Sequence, residues 1–190
     1  MNEKKKLLVD TALQLFYENG VNSVGINEVI KVSGVAKKTL YNHFSSKEAL
    51  IIATLTARDE LFLSWLESQI KDATSQLALV EKLFTALTAW FKNEVPELSH
   101  FRGCFFINTS AACGLQSKEI EKYCSFHKTK VKLLIQKYLQ TKDISFLDMI
   151  CLLKEGAIIA AHINHDLHAA KRCIPLITHY INGDRKKSED

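Results

Sequence analysis

The chain is poor in the residues that interrupt helices. Its 190 residues include only two prolines, Pro96 and Pro175, and seven glycines. This scarcity argues against a turn-rich architecture, because proline and glycine are the residues that most often end helices or mark turns. The segments between them repeat apolar side chains at helical spacing. The sequence therefore predicts an all-α fold of about nine helices.

The sequence also lacks the features that would indicate a disulfide framework, a membrane span or a secretion signal. The chain has no Cys-x-x-Cys pair and an odd set of cysteines, Cys104, Cys113, Cys124, Cys151 and Cys173. Such a set argues against a disulfide framework and suits a reducing compartment. No apolar run reaches the roughly 18 residues of a membrane span, and the lysine-rich start lacks the apolar segment of a signal peptide. We therefore expect a cytoplasmic protein without a membrane partner.

The charge of the chain is only mildly unbalanced. The formal net charge is +4, and 47% hydrophobic with 24% charged residues is an ordinary globular composition. Residues 1–50 hold 7 Lys against 5 Asp plus Glu, a balance of +2. This excess does not by itself indicate a nucleic-acid partner, so the position of the basic residues has to decide.

Two short helical patterns meet at Gly34 within residues 25–50, which is the layout of a helix-turn-helix. The first pattern begins at Gly25 and carries three apolar residues on one face: Ile26, Val29 and Ile30. Gly34 can take the left-handed conformation that ends a helix. We therefore expect a turn at this glycine.

The second pattern starts near Ala36 and separates inward from outward positions. Its apolar residues are expected to face inward: Val35, Leu40 and Phe44. Its basic and polar residues are left to meet a groove: Lys37, Lys38, Thr39, Tyr41 and Asn42. A basic pair and side-chain donors on a recognition helix are what contact with base edges requires, so double-stranded DNA is the leading partner.

The signature running from the turn into the next helix is Gly34-Val35-x-x-x-Thr39-Leu40-Tyr41-x-x-Phe44-x-Ser46-Lys47-Glu48-x-Leu50. It resembles, position by position, the DNA-binding signature of the tetracycline-repressor (TetR) family of transcriptional regulators. The resemblance is strong over about the first 50 residues and extends over the rest of the chain only in helix layout. Three residues depart from those usual in the family, Ile30, Ala36 and Lys38, so the operator sequence is not implied.

The expected DNA contacts fall into two kinds. Lys37 and Lys38, near the start of the recognition helix, would reach base edges such as guanine O6 and N7, or phosphates alone. The matched family positions imply contacts with the sugar-phosphate backbone for Thr39, Tyr41 and His43. Lys47 would pair with a further phosphate at the start of the next helix.

Capping signals and periodicity divide the chain into predicted helices. Besides the helix-turn-helix pair, these span residues 3–18, 46–72, 76–94, 102–113, 118–140, 145–166 and 169–182. Ser45 with Glu48 is the predicted capping box of the long helix, and Ser145 with Asp148 opens the eighth helix. Three regions follow: a DNA-binding domain at 1–47, an effector-binding and dimerisation domain at 48–183, and a polar tail at 184–190.

Large aromatic residues concentrate between the helices predicted at 46–72 and 118–140, where the resemblance implies an effector pocket. Most of these rings are expected to be core. A pocket lined by some of them would suit an apolar or aromatic small molecule. The candidate lining residues are Phe62, Trp65, Trp90 and Phe105, with Asn108, Thr109 and His127 as polar anchors.

The segment Arg102-Gly103-Cys104-Phe105-Phe106 resembles the start of helix 6 in a subset of TetR-like regulators. Cys104 has two interpretations. It is either a small buried hydrophobe or a thiol sensor of oxidants and electrophiles, if Arg102 and the helix terminus favour the thiolate.

Two groups of residues have the composition of a metal site. They are the string His162, His165 and His168, and the pair Cys124 and His127. One helix does not present residues i, i+3 and i+6 to a single ion, so we predict no metal and interpret the histidines as surface or interface residues.

The last two helices are the predicted dimer interface. The eighth helix is apolar over much of its surface and contains small residues that let a neighbour approach closely. The resemblance implies that these helices pair with those of a second copy. The candidate interface residues are Gly156, Ile159, Ala160, Ile163, Ile174, Ile177 and Tyr180. Pro175 predicts a kink or restart in the last helix.

Together these patterns predict a homodimeric repressor that needs no cofactor and leaves an inverted-repeat operator when a small effector binds. One alternative is a redox- or electrophile-switched repressor that uses Cys104. Another is a small-molecule-binding or catalytic helical protein with an incidental helix-turn-helix. The last is disfavoured because the sequence lacks a nucleophile–base motif, a phosphate-binding glycine loop and a metal-ligand cluster of suitable spacing.

Overall fold

The computed structural model describes the backbone of residues 3–139 and 141–187, with side chains placed through residue 183. These residues form nine α-helices and one 3-10 turn, Pro96–Leu98, and contain no strand, so the all-α prediction is confirmed. The helices are α1 (Glu3–Asn19), α2 (Ile26–Ser33), α3 (Lys37–His43), α4 (Lys47–Ile70), α5 (Gln76–Phe91), α6 (Phe105–Cys113), α7 (Lys118–Leu139), α8 (Ile144–Ile163) and α9 (Ala169–Lys187). Over the described residues, every helix is too short or too polar to cross a bilayer.

The turn between α2 and α3 has the predicted geometry. Gly25 is the N-cap of α2, and its carbonyl accepts from the amide of Val29 at 3.3 Å. Gly34 is the C-cap with φ +67°, and its amide donates to the carbonyl of Ile30 at 3.0 Å. Side chains other than glycine rarely adopt this φ, so the residue type and the turn are directly linked.

Two predicted N-caps differ from the observed ones. The Oγ of Ser46, not of Ser45, accepts from the amide of Ala49 at 3.1 Å, because α4 begins one residue later than the capping-box pattern placed it. The cap of α8 is Asp143, whose Oδ1 accepts from the amide of Phe146 at 3.1 Å, rather than Ser145. Both are near-equivalent capping choices in the sequence, and the local chain path selects between them.

Several helix ends also differ from the prediction. Helix α6 begins at Phe105 rather than at residue 102, because Gly103 has φ +81°, which lies outside the helical region. A Cβ at Gly103 would lie 2.8 Å from Cγ of His162, so glycine is required there. Helix α4 ends at Ile70 instead of 72, and α5 ends at Phe91 instead of 94. Helix α8 ends at Ile163, three residues early.

Helix α9 runs through Pro175 without a break and continues to Lys187. The predicted restart is therefore wrong, and so is the predicted end at residue 182. A proline inside a helix costs about 3 kcal/mol through its lost N–H bond and its clash with the preceding turn. Packing of α9 against α5 and α8 offsets this cost. Of the predicted tail at 184–190, residues 188–190 lie outside the described residues.

The chain forms two compact units. The first contains the residues up to Leu61 together with Cys104–Thr129. It includes the three DNA-binding helices, the first part of α4, α6 and the first part of α7. Its division therefore differs from the predicted boundary after residue 47, because α6 and the start of α7 group with α1 to α3 and the first part of α4.

The second unit contains Phe62–Gly103 and the residues from Lys130 onward. Its centre is α5, which packs against α8 and α9. Nine of the sixteen residues of α5 are buried. The exposed residues Glu81, Lys82 and Thr85 share one side of the helix, so α5 has a wide buried face and a narrow solvent face.

Candidate functional site

The helix-turn-helix presents one polar face because its two short helices bury very little. Val29 is the one buried residue of α2, and Leu40 is the one buried residue of α3. Val35 and Phe44, which flank α3, are buried as well, which confirms the predicted inward set. Helix α1 packs against both α2 and α3. This support leaves the opposite side of α3 open to solvent.

The open side of α3 carries the predicted DNA-contacting residues. Four are exposed, namely Lys37, Lys38, Tyr41 and Asn42. Their positions i, i+1, i+4 and i+5 place them on one stripe of the helix. Thr39 and His43 are half-buried at its margin. The stripe therefore offers ammonium, phenol and amide groups together, which is the chemistry that hydrogen-bonds to base edges and phosphates.

Lys47 lies in the first turn of α4 and is half-buried. Its Nζ is 5.9 Å from the centroid of the Phe16 ring, so its aliphatic part follows an apolar surface while the ammonium stays accessible. The contact restricts the side chain to the neighbourhood of the α4 N-terminus. That terminus and the ammonium both favour an anion.

Lys5 is a candidate that the sequence reasoning did not single out. Its Nζ is 5.8 Å from the centroid of the Phe44 ring, and Phe44 is the C-cap of α3. The start of α1 therefore brings a cation to the end of the recognition helix. The signal was present in the run Lys4-Lys5-Lys6, but only the tertiary packing of α1 on α3 places it beside the stripe.

The predicted effector residues divide between the two units. Phe62, Trp65 and Trp90 lie in the second unit, where their rings pack together with centroid distances of 5.3 Å for Phe62–Trp65, 5.5 Å for Phe62–Trp90 and 6.2 Å for Trp65–Trp90. Phe91 and Phe101 extend this cluster, with Phe101 edge-on to Trp90 at 4.9 Å. We call these five residues the aromatic cluster. All except the half-buried Phe101 are buried.

The remaining four predicted effector residues lie in the first unit. Phe105 is buried and contacts Tyr17 edge-on, with ring centroids 6.0 Å apart. Asn108 is half-buried. Thr109 is buried, and its Oγ1 has no hydrogen-bond partner among the described residues. His127 is engaged differently from the prediction of a pocket anchor, because its Nδ1 lies 2.7 Å from Oδ1 of buried Asp59.

Cys104 is the N-cap of α6 and is buried. Its Sγ accepts from Nζ of Lys128 at 3.4 Å. Burial raises the pKa of the thiols of Cys113, Cys151 and Cys173, and raises that of Cys124 to about 11. An ammonium group within hydrogen-bonding distance of sulfur is one of the features of reactive cysteines, and Cys104 has it.

The two metal candidates are not assembled into a site. His162 lies in α8 with its ring edge-on to Phe101, whereas His165 and His168 are exposed in the following turn. Over the residues that the structure describes, no group of three or more His, Cys, Asp or Glu side chains is placed to hold an ion.

The predicted interface residues of α8 and α9 differ in exposure, and one of them is buried. Gly156, Ile159, Ile163 and Tyr180 are exposed, and Ala160 and Ile174 are half-buried. Ile177 is 0% exposed in the protomer, so its assignment to an interface is corrected to the core. Two exposed residues were missed, Leu152 at 72% and Leu176 at 61%. Both helices are apolar over most of their surface, so the spacing of apolar residues does not show which of them will be exposed after packing.

Comparison with known proteins gives matches of two kinds. Residues 8–54 match the family model described as bacterial regulatory proteins, tetR family. The HTH-type transcriptional regulator YuxN of Bacillus subtilis is 44% identical over 55 residues, which is 29% of this chain and 19% of YuxN. The HTH-type transcriptional regulator QacR of Staphylococcus aureus is 28% identical over 189 residues, covering 96% of this chain and 84% of QacR.

Solved crystal structures of other proteins contain the same fold. The structure of SCO4454, a TetR-family transcriptional regulator from Streptomyces coelicolor, matches with a TM-score of 0.75 at 21% identity, over 93% of this chain and 97% of that one. The likeness therefore extends well beyond the helix-turn-helix. From the turn at Gly34, the exposed stripe on α3 and these matches, residues 8–54 are the DNA-binding helix-turn-helix of the TetR family, in a chain that has the fold of TetR-family transcriptional regulators.

Proposed function

We propose that this regulator is a homodimeric repressor that leaves an inverted-repeat operator when an apolar or aromatic compound binds it. The aromatic cluster is the observation that carries the effector part of the proposal. Its five rings lie together within one unit, and sites for small apolar ligands are lined mainly by such side chains. The ligand has to bind the conformation that does not fit DNA more tightly than the one that does. A ligand with equal affinity for both conformations would not shift the equilibrium between them.

The DNA-binding part of the proposal assigns roles along α3 and α4. Lys37 and Lys38 read base edges. The sugar-phosphate contacts come from Thr39, Tyr41, His43 and Lys47, and Asn42 adds an amide beside the lysines. The exposure of the stripe supports these roles. Lys5 adds a further phosphate contact at the C-terminal end of α3, because its ammonium is held near Phe44.

Tryptophan fluorescence tests the effector proposal directly. Trp65 and Trp90 are the two tryptophans of the chain, and both belong to the aromatic cluster. In a screen of hydrophobic compounds, a true effector quenches this fluorescence, raises the melting temperature and abolishes a gel shift with the DNA flanking the gene. Trp65→Phe keeps a ring at the position and identifies the quenched indole. A screen in which no compound does any of these things contradicts the proposal.

Dimerisation through α8 and α9 is supported by the spacing of exposed residues. Leu152, Gly156, Ile159 and Ile163 follow one another at intervals of four, three and four, so they form one stripe along α8. On α9, Leu176 and Tyr180 are exposed one turn apart. A stripe of large apolar side chains on a surface marks an interaction site, and a two-fold axis would pair it with itself.

The interface has a matched test. Ile163→Lys places a charge in the stripe and is expected to raise the dimer dissociation constant and weaken operator binding together. Leu133→Lys is the control, because Leu133 is similarly exposed but lies on α7, outside the stripe. Analytical ultracentrifugation gives the dissociation constants. Equal dissociation constants for the two variants would place the dimer interface elsewhere.

A second candidate mechanism is a redox switch at Cys104, favoured by the Lys128 contact of 3.4 Å. In that mechanism a peroxide oxidises the thiol by two electrons, forming Cys–SOH and releasing one water molecule per peroxide. The expected result is loss of the gel shift on peroxide treatment and its recovery with a thiol reductant. Cys104→Ser abolishes the response, whereas Cys113→Ser keeps it. An unchanged gel shift after oxidation excludes this mechanism.

A further inference from the structure

Two consecutive residues of α4, Arg58 and Asp59, are charged residues buried in the first unit. The guanidinium carbon of Arg58 lies 4.7 Å from the centroid of the Tyr17 ring. Oδ1 of Asp59 lies 2.7 Å from Nδ1 of His127, which is buried too. Burial lowers the pKa of Arg58, which reflects the cost of removing its charge from water. Proteins retain buried charged side chains where specific contacts compensate for the loss of hydration.

Each of these contacts leads on to helix α6. The Tyr17 ring meets Phe105 edge-on with centroids 6.0 Å apart. The His127 ring stacks on Phe106 with centroids 3.5 Å apart and 6° between the planes. Phe105 and Phe106 are the first two residues of α6. Two neighbouring residues of α4 are therefore joined, through one side chain each, to two neighbouring residues of α6.

We call the six side chains the α4–α6 latch: Arg58, Tyr17 and Phe105 form one arm, and Asp59, His127 and Phe106 form the other. Successive residues of a helix point about 100° apart, so the two arms leave α4 in different directions. One arm passes through α1 and the other through α7. Such a pair of contacts opposes both sliding and rotation of α6 relative to α4.

The other end of α6 is also tied to the DNA-binding helices. Nδ2 of Asn22, in the loop after α1, donates to the carbonyl of Ala112 at 3.0 Å. Just beyond α6, the Oγ of Ser117 donates to Oε1 of Glu48 in the first turn of α4. Glu48 is adjacent to Lys47. Asp59 lies twelve residues after Lys47 on the same helix, about 18 Å away at 1.5 Å per residue. Both ends of α6 thus reach the element that carries a DNA contact.

We propose that Arg58 and Asp59 are positioning residues for DNA binding. Through the latch they hold α6 in the arrangement in which α3 and Lys47 fit the operator. A displacement of α6 separates the Phe106–His127 stack or the Asp59–His127 pair, and the operator-bound state is lost with it. The inference deepens the effector response proposed above and rests on it. Its test uses operator DNA alone, so that the two can fail separately.

Linkage supplies the test. If the latched arrangement favours DNA, then DNA must favour the latched arrangement by the same factor. Hydrogen exchange of the α6 amides, compared without and with a duplex obtained by binding-site selection, measures this factor. In the wild-type protein the duplex is expected to slow exchange in α6 by about 5- to 150-fold, the range of ordinary allosteric coupling.

Asp59→Asn keeps the shape of the side chain but removes its charge. It is expected to reduce the slowing in α6 to less than about twofold and to weaken operator binding by at least about fivefold. Glu60→Gln is the matched control, since it makes the same change of charge at the next residue, which is exposed. The control is expected to keep both wild-type values.

Phe106→Leu is the second variant, for the case in which Asp59→Asn does not fold. It removes the stack on His127 and leaves the Asp59–His127 pair in place, and it is expected to reduce the slowing in the same way. A folded Asp59→Asn or Phe106→Leu protein with wild-type slowing in α6 would overturn the latch, and so would a wild-type protein whose α6 does not respond to bound duplex. A duplex that slows α6 while no aromatic compound releases it would contradict the proposed effector alone.

Discussion

Helices α3 and α5 use their residues in opposite ways. Of the seven residues of α3 only Leu40 is buried, whereas nine of the sixteen residues of α5 are buried. The side chains of α3 are therefore chosen mostly by what they meet outside the protein, and those of α5 by their neighbours inside it. Many apolar combinations fill a core, but few sets of donors match a groove of DNA. Function is consequently easier to read from the sequence of α3 than from that of α5.

The largest expected effect comes from the interior of α5. Phe84→Ala removes a fully buried ring and is expected to lower the free energy of unfolding by about 3–5 kcal/mol, through lost burial and the cavity left behind. Val32→Ala in α2, where the side chain is 59% exposed, is expected to stay within about 0.5 kcal/mol. Urea unfolding measures both. If both variants lost a similar free energy of unfolding, the buried face of α5 would contribute no more to stability than the exposed surface of α2.

A smaller effect is expected in α3, on DNA binding rather than on stability. Lys37→Ala or Lys38→Ala is expected to cost about 1–3 kcal/mol of operator affinity and to change the preferred bases of the half-site. Lys47→Ala should weaken all sequences equally and reduce the slope of log affinity against log salt by about 0.9, because a phosphate contact releases a counterion. Binding-site selection and salt titration distinguish the two. The same logo and slope for all three variants would contradict the assigned roles.

The enclosed part of the first unit offers a pH test. Burial raises the pKa of the Cys124 thiol from 9.0 to about 11, so the unfolded chain loses this proton at lower pH than the folded protein. The thiol's contribution to stability is therefore complete below pH 9 and is lost as the pH rises toward 11. Cys124→Ala should show a shallower decline than wild type in thermal melts between pH 8.5 and 11. Parallel curves would mean that Cys124 ionises alike in both states.

The smallest effect is expected for an exposed ion pair. Hydrogen bonds from Lys137 and Tyr138 lower the pKa of Glu67, so its contribution is present at neutral pH and lost as the pH falls below 4.5. Pairs at the surface are screened by water and salt and stabilise little. Glu67→Gln should therefore change the melting temperature far less than Phe84→Ala does, and added salt should reduce the change further. If Glu67→Gln lowered the melting temperature as much as Phe84→Ala, the exposure of a side chain would not determine how much its substitution destabilises the protein.

The success of the sequence prediction varied with how local the signal was. The turn at Gly34 was predictable because a left-handed backbone at a helix end is a property of one residue. The exposed stripe on α3 followed from spacing alone. The caps of α4 and α8 were placed one and two residues away from Ser46 and Asp143, since neighbouring serines and aspartates cap almost equally well.

Predictions that depended on packing were less accurate. Ile177 and Leu176 are adjacent and equally apolar, yet the structure buries the first and exposes the second. His127 was singled out as an effector anchor, and nothing in the sequence indicated its contact with Asp59, which lies 68 positions away. Pro175 was expected to break α9, but contacts with α5 and α8 keep the helix continuous.

The sequence by itself determined the helical class, the helix-turn-helix and the polar face that it presents, because each depends on residues within one or two helical turns. Only the tertiary structure decided that α6 packs in the same unit as α1 to α3, that Arg58 and Asp59 are buried there, and which apolar side chains of α8 and α9 stay exposed. These outcomes depend on contacts between distant parts of the chain. The free energy of such contacts comes from the surface and charge that they remove from water, and periodicity along the sequence does not specify the partner.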